Sequence, residues 1–424
     1  MRKFEKNRGT KSALAVALLL GAFLVLPFGA GPKSFASPGG WTGSWAASQQ
    51  IPEPENALAS ADLQDATLRQ IVHLSAGGAW VRVHVSNAFG TAPLHLASIH
   101  IARPVSTSSA VIEPGTDTPL EFAGSPDLVI PAGAEFVSDA VKFSAPSGSN
   151  LAITIYYDEP PAQETGHMGS RATSYLVHGN HVSEADLAKA KTFEHWYQIS
   201  AVDVAALKKP ASIVILGDSI TDGHGATVNG NDRWTDVLAE RLRGDKNDSS
   251  VGVLNQGIGG NHLLTDGLGP SALARFDRDV LAQTAVHWLI VGEGVNDLGG
   301  LARNAKLPAA DHVSLVSRVT AAYQQIVTRA HAHGIFVIGA TILPYVGSDY
   351  YHPDAMSEAD RAAVNGWIRA TGHFDAVIDF DKLARDPEHP DRLLPAYDSG
   401  DHLHPGGRGY RAMGEFVPLS LFKQ

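Results

Sequence analysis

Ile213-Val214-Ile215-Leu216-Gly217-Asp218-Ser219-Ile220-Thr221 is the stretch from which the fold is read. Four apolar residues run into Gly-Asp-Ser without a polar interruption, as a strand does when both its faces are covered. Four more apolar runs follow it: Val251 to Asn255, Trp288 to Val291, Phe336 to Ile342 and Ala376 to Phe380. Helical patterns separate them. From Asp311 to His333, Val316, Val319, Tyr323, Ile326, Val327 and Ala330 recur on one face and Gly334 supplies a stop. A second helix is expected to start at Ser357, with Asp360 three residues on and Ala363, Val364, Trp367 and Ile368 facing inward. In the helical stretch that carries Val237, Leu238 and Leu242, Trp234 reads as core. Strands alternating with helices predict an α/β fold, a three-layer doubly wound parallel sheet.

Upstream of residue 208 the pattern is different. Short β-branched and aromatic runs, Leu68 to Leu74, Trp80 to Ser86, Leu94 to Ala102, Glu135 to Phe143 and Leu151 to Tyr157, are separated by turn residues. In Trp80-Val81-Arg82-Val83-His84-Val85 polar and apolar residues alternate, as a half-buried antiparallel strand requires. These runs predict an all-β sandwich or jelly-roll-like domain over residues 38–207, before an α/β domain over 208–424. Lys208-Lys209-Pro210 ends the connection.

The first residues read as an address. Arg2, Lys3, Lys6, Arg8 and Lys11 precede the apolar run Ala13 to Phe28, and small residues follow around Ser34-Phe35-Ala36. That order is a secretory signal over residues 1–36, and the run is shorter than the ~20 apolar residues of a spanning helix. The expectation is export through an N-terminal signal peptide, to the exterior or a periplasm, with no stable membrane insertion after cleavage. The 424 residues hold 33 Lys plus Arg against 44 Asp plus Glu. Loss of Lys33 and the five other cations before Ala36, together with Glu5, takes the formal charge from −11 to −16. A nucleic-acid or anionic-membrane partner is unlike such a surface. With no cysteine in the chain, Cys nucleophiles, thiolate metal sites and disulfides are excluded.

In a doubly wound sheet the ligand crevice lies beyond the carboxyl ends of the strands. The segments there are Gly217-Asp218-Ser219, Asn255-Gln256-Gly257-Ile258-Gly259-Gly260-Asn261, Glu293-Gly294-Val295-Asn296-Asp297, and Asp401-His402-Leu403-His404 ahead of the last helix. A serine hydroxyl needs a base to take its proton, and an imidazole needs a carboxylate to fix its tautomer. Ser219, His404 and Asp401 supply those parts, the Asp-x-x-His spacing letting the carboxylate turn back on Nδ1. The N–H groups of Ser219 and Gly260 and the amide of Asn296 are candidate donors to an oxyanion.

These blocks, in this order, resemble the SGNH or GDSL-type hydrolase superfamily over about residues 210 to 418. The resemblance implies a flavodoxin-like sheet, Ser219 as nucleophile, Gly260 and Asn296 completing the oxyanion hole, and Asp401 and His404 finishing the triad, with no cofactor and no metal. Ile220 stands where the name-giving motif has leucine. A β-rich half opening at Trp41 to Trp45 looks like a secreted esterase subgroup associated with polysaccharide degraders and arylesterases.

Other readings compete. Asp401, His402 and His404 could, with Asp218 and Asp398, ligate a metal. Asp222 and Asp297 read as local backbone acceptors, and His262, Tyr345, Tyr350 and Tyr351 as pocket or surface residues. Gly257 to His262 lacks the last glycine of a dinucleotide fingerprint, and Thr221 replaces the closing glycine of a Gly-x-Ser-x-Gly elbow. The expected function is a secreted serine esterase acting through an acyl-enzyme on a small-molecule or polysaccharide ester, foremost short acyl groups on a carbohydrate. The alternatives are an arylesterase or lipase, and a carbohydrate-binding protein with a relic hydrolase domain.

Overall fold

A computed structural model describes residues 40–245, 250–303 and 308–423. The signal segment expected at 1–36 lies outside the described residues. No helix among the described residues is long and apolar enough to cross a membrane.

All five apolar runs of the second half form strands of one parallel sheet, Ser212–Gly217, Gly252–Gly257, Val286–Gly292, Phe336–Ala340 and Ala376–Ile378. In space the second strand lies outside the first, and the third, fourth and fifth follow on the first strand's other side. The chain therefore changes direction of travel across the sheet around Ser212–Gly217, which puts the crevice at the end of that strand. Helices cover both faces. The long one, Ala309–Ala332, buries Leu315, Val319, Tyr323, Ile326 and Ala330 at helical spacing. Trp234, expected in the core, is buried with its ring 5.3 Å from that of Phe380.

The helix expected from Ser357 begins earlier, at Ala355, and runs to Arg369. Asp354 caps it by accepting the Met356 and Ser357 N–H groups, so Ser357 is the third residue of the capping box rather than its first. Ala363, expected to face inward, is exposed, while Val364 and Ile368 are buried.

The first half consists of antiparallel sheets. Of the two larger ones, one contains Trp41–Ala46, Ile199–Ala205, Gly78–Ser86, Glu135–Val137 and Val141–Ala145. The other contains Lys191–Phe193, Ser174–His178, Ala66–His73, Asn150–Tyr157, Ser98–Ala102 and Thr118–Pro119. Their inner faces share one core that includes Trp45, Leu68, Val83, Ile101, Ile153 and Val204. The run expected from Glu135 to Phe143 is split, because the Ser138 hydroxyl inserts into the ladder and accepts the Val83 N–H. Leu94 to Ala102 likewise forms two strands, on either side of Ala97.

The last antiparallel strand ends at Ala205 and the first parallel one begins at Ser212. The described residues nevertheless pack as one compact unit. Strand Trp41–Ala46 lies against the parallel sheet, where the Ser212 hydroxyl accepts the Gly43 N–H at 3.2 Å and Ser75 Oγ accepts the Val253 N–H at 2.9 Å. At Gly252 the two backbones come so close that a Cβ would stand 1.8 Å from the Gly43 carbonyl oxygen. Gly252→Ala must push that seam apart and is expected to cost roughly 2 kcal/mol or more. Denaturant unfolding of the variant checks it, an unchanged midpoint being the contrary result.

Candidate active site

Strand Ser212–Gly217 ends in a turn that leads directly into the four-residue helix Ser219–Asp222. Asp218 caps this helix, its carboxylate accepting the Ile220 N–H at 2.9 Å, and Gly223 closes it in the left-handed conformation. Ser219 is thus the first helical residue, its N–H without an intrahelical acceptor. Its Oγ lies 2.8 Å from His404 Nε2, and His404 Nδ1 lies 2.6 Å from Asp401 Oδ2. Asp401 also accepts the N–H groups of Leu403 and His404 and the Ser399 hydroxyl. The hydrogen-bonding partners assign the tautomer: Nδ1 donates to the carboxylate and Nε2 accepts from the serine.

Burial opposes charge on Asp401, but the His404 and Leu403 amides and the His404 ring outweigh it and hold the carboxyl well below its ordinary range. His404 itself is pushed below the usual histidine value by burial, with Asp401 opposing and the Arg171 guanidinium adding to the fall.

Gly260 follows strand Gly252–Gly257 with φ +66, a backbone that favours glycine, and its N–H has no protein acceptor among the described residues. Asn296 follows strand Val286–Gly292 on the first turn of Val295–Ala302. Its side chain is held at both ends: Nδ2 donates to the Asn261 carbonyl at 2.6 Å, and Oδ1 accepts the Tyr351 hydroxyl. One amide N–H is left unspent. The five residues singled out in the sequence therefore sit on elements that meet at the crevice.

Beneath them lies Arg275, with its side chain fully enclosed. Its guanidinium donates to the Gly217 carbonyl (3.0 Å), the Gln256 carbonyl (2.7 Å), Asn261 Oδ1 (2.9 Å), Glu293 Oε1 (3.1 Å), Asp279 Oδ2 (3.1 Å) and the Ser48 hydroxyl (2.8 Å). One side chain ties together the ends of the three strands that carry Ser219, Gly260 and Asn296. Around it, burial and then the nearby Asp218 push Glu293 well above the usual carboxylate range, and burial pushes Asp218 up to about 7.

The β-rich half also reaches the site. His167 places Nδ1 on the Ser48 carbonyl (2.9 Å) and Nε2 on Asp222 (3.0 Å), and Arg171 Nε donates to the Gly223 carbonyl at 3.2 Å. Asp222 is therefore an acceptor for a distant histidine, not for local backbone. Asp297 receives the Leu263 and Leu264 N–H groups, fixing the loop after Gly260. The His224 ring packs tilted against the His404 ring, 4.1 Å between centroids. His224, Asp401 and His404 bring possible metal-ligating atoms within 4.8 Å of one another. That is a different set from the one considered in the sequence: Asp398 is taken by His402, and Asp218 is buried.

The aromatic cluster divides. Tyr345 is buried, Tyr351 orients Asn296, and Tyr350 is 52% exposed with Arg303 over its ring. His262 lines a groove of about 270 Å³ with Asn296, Asp297 and Arg318. Tyr351 was among the residues open to either role, whereas Arg275, His167, Arg171 and His224 carry no local motif.

Residues 215–412 match the model of the GDSL-like Lipase/Acylhydrolase family. Among solved structures, the chain is similar to the acetyl xylan esterase AlAXEase, at 21% identity over 48% of this chain and 96% of that one (TM-score 0.37). It is also similar to a GDSL-like lipase from Bacteroides thetaiotaomicron (18%, 50% and 88%, TM-score 0.35). A third is Est24, a carbohydrate acetylesterase from Sinorhizobium meliloti (14%, 48% and 94%, TM-score 0.35). No curated protein matches the chain.

Two outcomes are expected. Tyr351→Phe frees the Asn296 amide to rotate and should lower kcat roughly tenfold with little change in KM, short of the loss of a donor outright; unaltered kcat would contradict the orienting contact. A base at His404 works only when neutral, and its pKa is lowered, so activity should persist into mild acid. The acid limb of kcat/KM should fall below the ~6.5 of an ordinary histidine, as a pH–rate profile will read.

Proposed function

We propose that this chain, whose residues 215–412 match the model of the GDSL-like Lipase/Acylhydrolase family, is an exported serine esterase that removes short acyl groups from a carbohydrate. The observation that carries the mechanism is the unbroken relay from Ser219 Oγ through His404 to Asp401, at 2.8 and 2.6 Å. Ser219 Oγ bonds to the ester carbonyl carbon while its proton passes to His404 Nε2. The oxyanion rests on the N–H groups of Ser219 and Gly260 and the unspent N–H of Asn296. Collapse expels the alcohol, which takes the proton from His404, and leaves an acyl-enzyme. Water then gives its proton to His404 and attacks the acyl carbon, and the carboxylic acid departs as Ser219 is reprotonated.

A carbohydrate alcohol is supported by the surface beside the triad loop. There a groove of about 640 Å³ is lined by Asp386, His389, Arg392, Asp398 and His402, polar groups suited to hydroxyls. Leu268 stands beside Gly260, an apolar contact of a size for a short acyl group. Export rests on the Arg2 to Ala36 pattern. The exposed ring of Tyr350 favours one second reading, an arylesterase, because it offers a flat apolar face close to Tyr351 and Asn296.

Hydrolysis of p-nitrophenyl esters of increasing acyl length, beside acetate release from acetylated xylan, tests the reading. The acetyl ester and the polysaccharide should be turned over, and Ser219→Ala should lose at least about 10³-fold in kcat while unfolding like the parent. Turnover confined to aryl or long-chain esters would move the assignment, and turnover that survives the substitution would remove the mechanism.

A further inference from the structure

We propose that Arg171 is a substrate-binding residue supplied by the β-rich half, and that it recognises a carboxylate on the alcohol part of the ester, as in an acylated, uronate-bearing glycan. The inference rests on the esterase reading above and narrows its substrate class.

Arg171 has φ +48, a left-handed backbone that a residue with a side chain keeps only when its surroundings hold it. Loop 223–231 holds it. The Arg171 carbonyl accepts the Asn229 N–H at 2.8 Å, and the Asn229 side chain both accepts the Thr173 N–H and donates to the Thr173 hydroxyl, each at 2.8 Å. The side chain is fixed at its root by the 3.2 Å bond from Nε to the carbonyl of Gly223, the residue that closes the helix beginning at Ser219. The guanidinium is therefore anchored on Gly223, the fourth residue after the nucleophile.

A guanidinium carries five N–H donors in a planar fork. The four on Nη1 and Nη2 have no acceptor among the described residues, and Arg171 forms no ion pair there. The carboxylates nearest in the chain to the triad are spent elsewhere: Asp222 on His167, and Asp401 on His404, Ser399 and two amides. The charge of Arg171 is consequently felt at the site, where it depresses both His404 and His224 after burial has done so.

For a neutral ester that charge is a handicap, since it opposes the imidazolium that forms at His404 in the transition state. A carboxylate seated on the free fork cancels it and gains two charge-assisted hydrogen bonds. The same residue thus selects an anionic substrate in binding and in the chemical step. Without the signal segment the formal charge of −16 repels anions at long range, so recognition has to be made by this local contact. A short acyl group such as acetyl carries no carboxylate of its own, which leaves the alcohol.

The test compares phenyl acetate with 3-carboxyphenyl acetate, whose leaving phenols are of similar acidity, on the full mature chain. The parent enzyme should favour the carboxylate ester roughly tenfold in kcat/KM, and the preference should shrink in 0.5 M salt. In Arg171→Gln the ratio should fall to about one, and Arg171→Lys should restore part of it. In Arg171→Gln the acid limb with phenyl acetate should also move up. A parent with no preference, or an equal loss on both esters in Arg171→Gln, overturns the assignment while leaving the esterase intact. Absence of Ser219-dependent hydrolysis of phenyl acetate overturns the esterase reading, and this assignment with it.

Discussion

The geometry of the crevice depends on the Arg275 guanidinium. Parallel strands deliver their carboxyl ends to one edge of a sheet, but nothing in a ladder of backbone hydrogen bonds fixes the loops beyond that edge. Arg275 does so by donating to Gly217, Gln256, Asn261 and Glu293, each within a few residues of Ser219, Gly260 or Asn296. Its bond to Ser48 extends the same constraint into the β-rich half. A buried cation is a poor source of stability, since desolvation absorbs most of its Coulombic gain. Its rigid fork is a good source of geometry, and an oxyanion site needs its donors fixed before the charge develops.

That cation also explains the unusual company of carboxyl groups below the serine. Burial disfavours charge on Asp218, Asp279 and Glu293 alike, yet they end differently. Against burial, Arg278 and Arg275 hold Asp279 below its ordinary range, while Glu293, set against Asp218, is driven well above its own. Burial beside Asp218 thus opposes negative charge on Glu293, which keeps its contact with the Arg275 guanidinium through Oε1. The negative charge that serves His404 sits instead at Asp401, on the partly exposed side of the loop.

What could be read from the sequence follows from what each level of structure writes into it. The five strands, their parallel arrangement and the rim blocks at Ser219, Gly260, Asn296 and Asp401 to His404 were legible, because a strand buried on both faces is an uninterrupted apolar run and its loop follows at once. The start of the helix at Ala355 was misplaced, since Asp354 and Ser357 both resemble caps. The breaks near Ala97 and Ser138 were missed because ladder interruptions leave no trace in alternation. Arg275 was invisible: an arginine in a short helix reads as a surface residue, and only tertiary structure encloses it. His167 and Arg171 were equally silent, because their partners Asp222 and Gly223 lie more than fifty positions away in the chain. Tyr351 was the intermediate case, noticed as an aromatic beside the rim but without a signal that its hydroxyl would meet Asn296.

In this mechanism Ser219 carries the acyl group during turnover. Acid quenching of the enzyme within the first turnovers on an activated acetyl ester, followed by peptide mapping by mass spectrometry, reads this directly. One acetyl group is expected on the peptide containing Ser219, accumulating further when His404 is replaced by a residue that cannot activate water after slow acylation. An acetyl group on another residue, or turnover with no acylated peptide at any time under conditions where product appears in a burst, would contradict it.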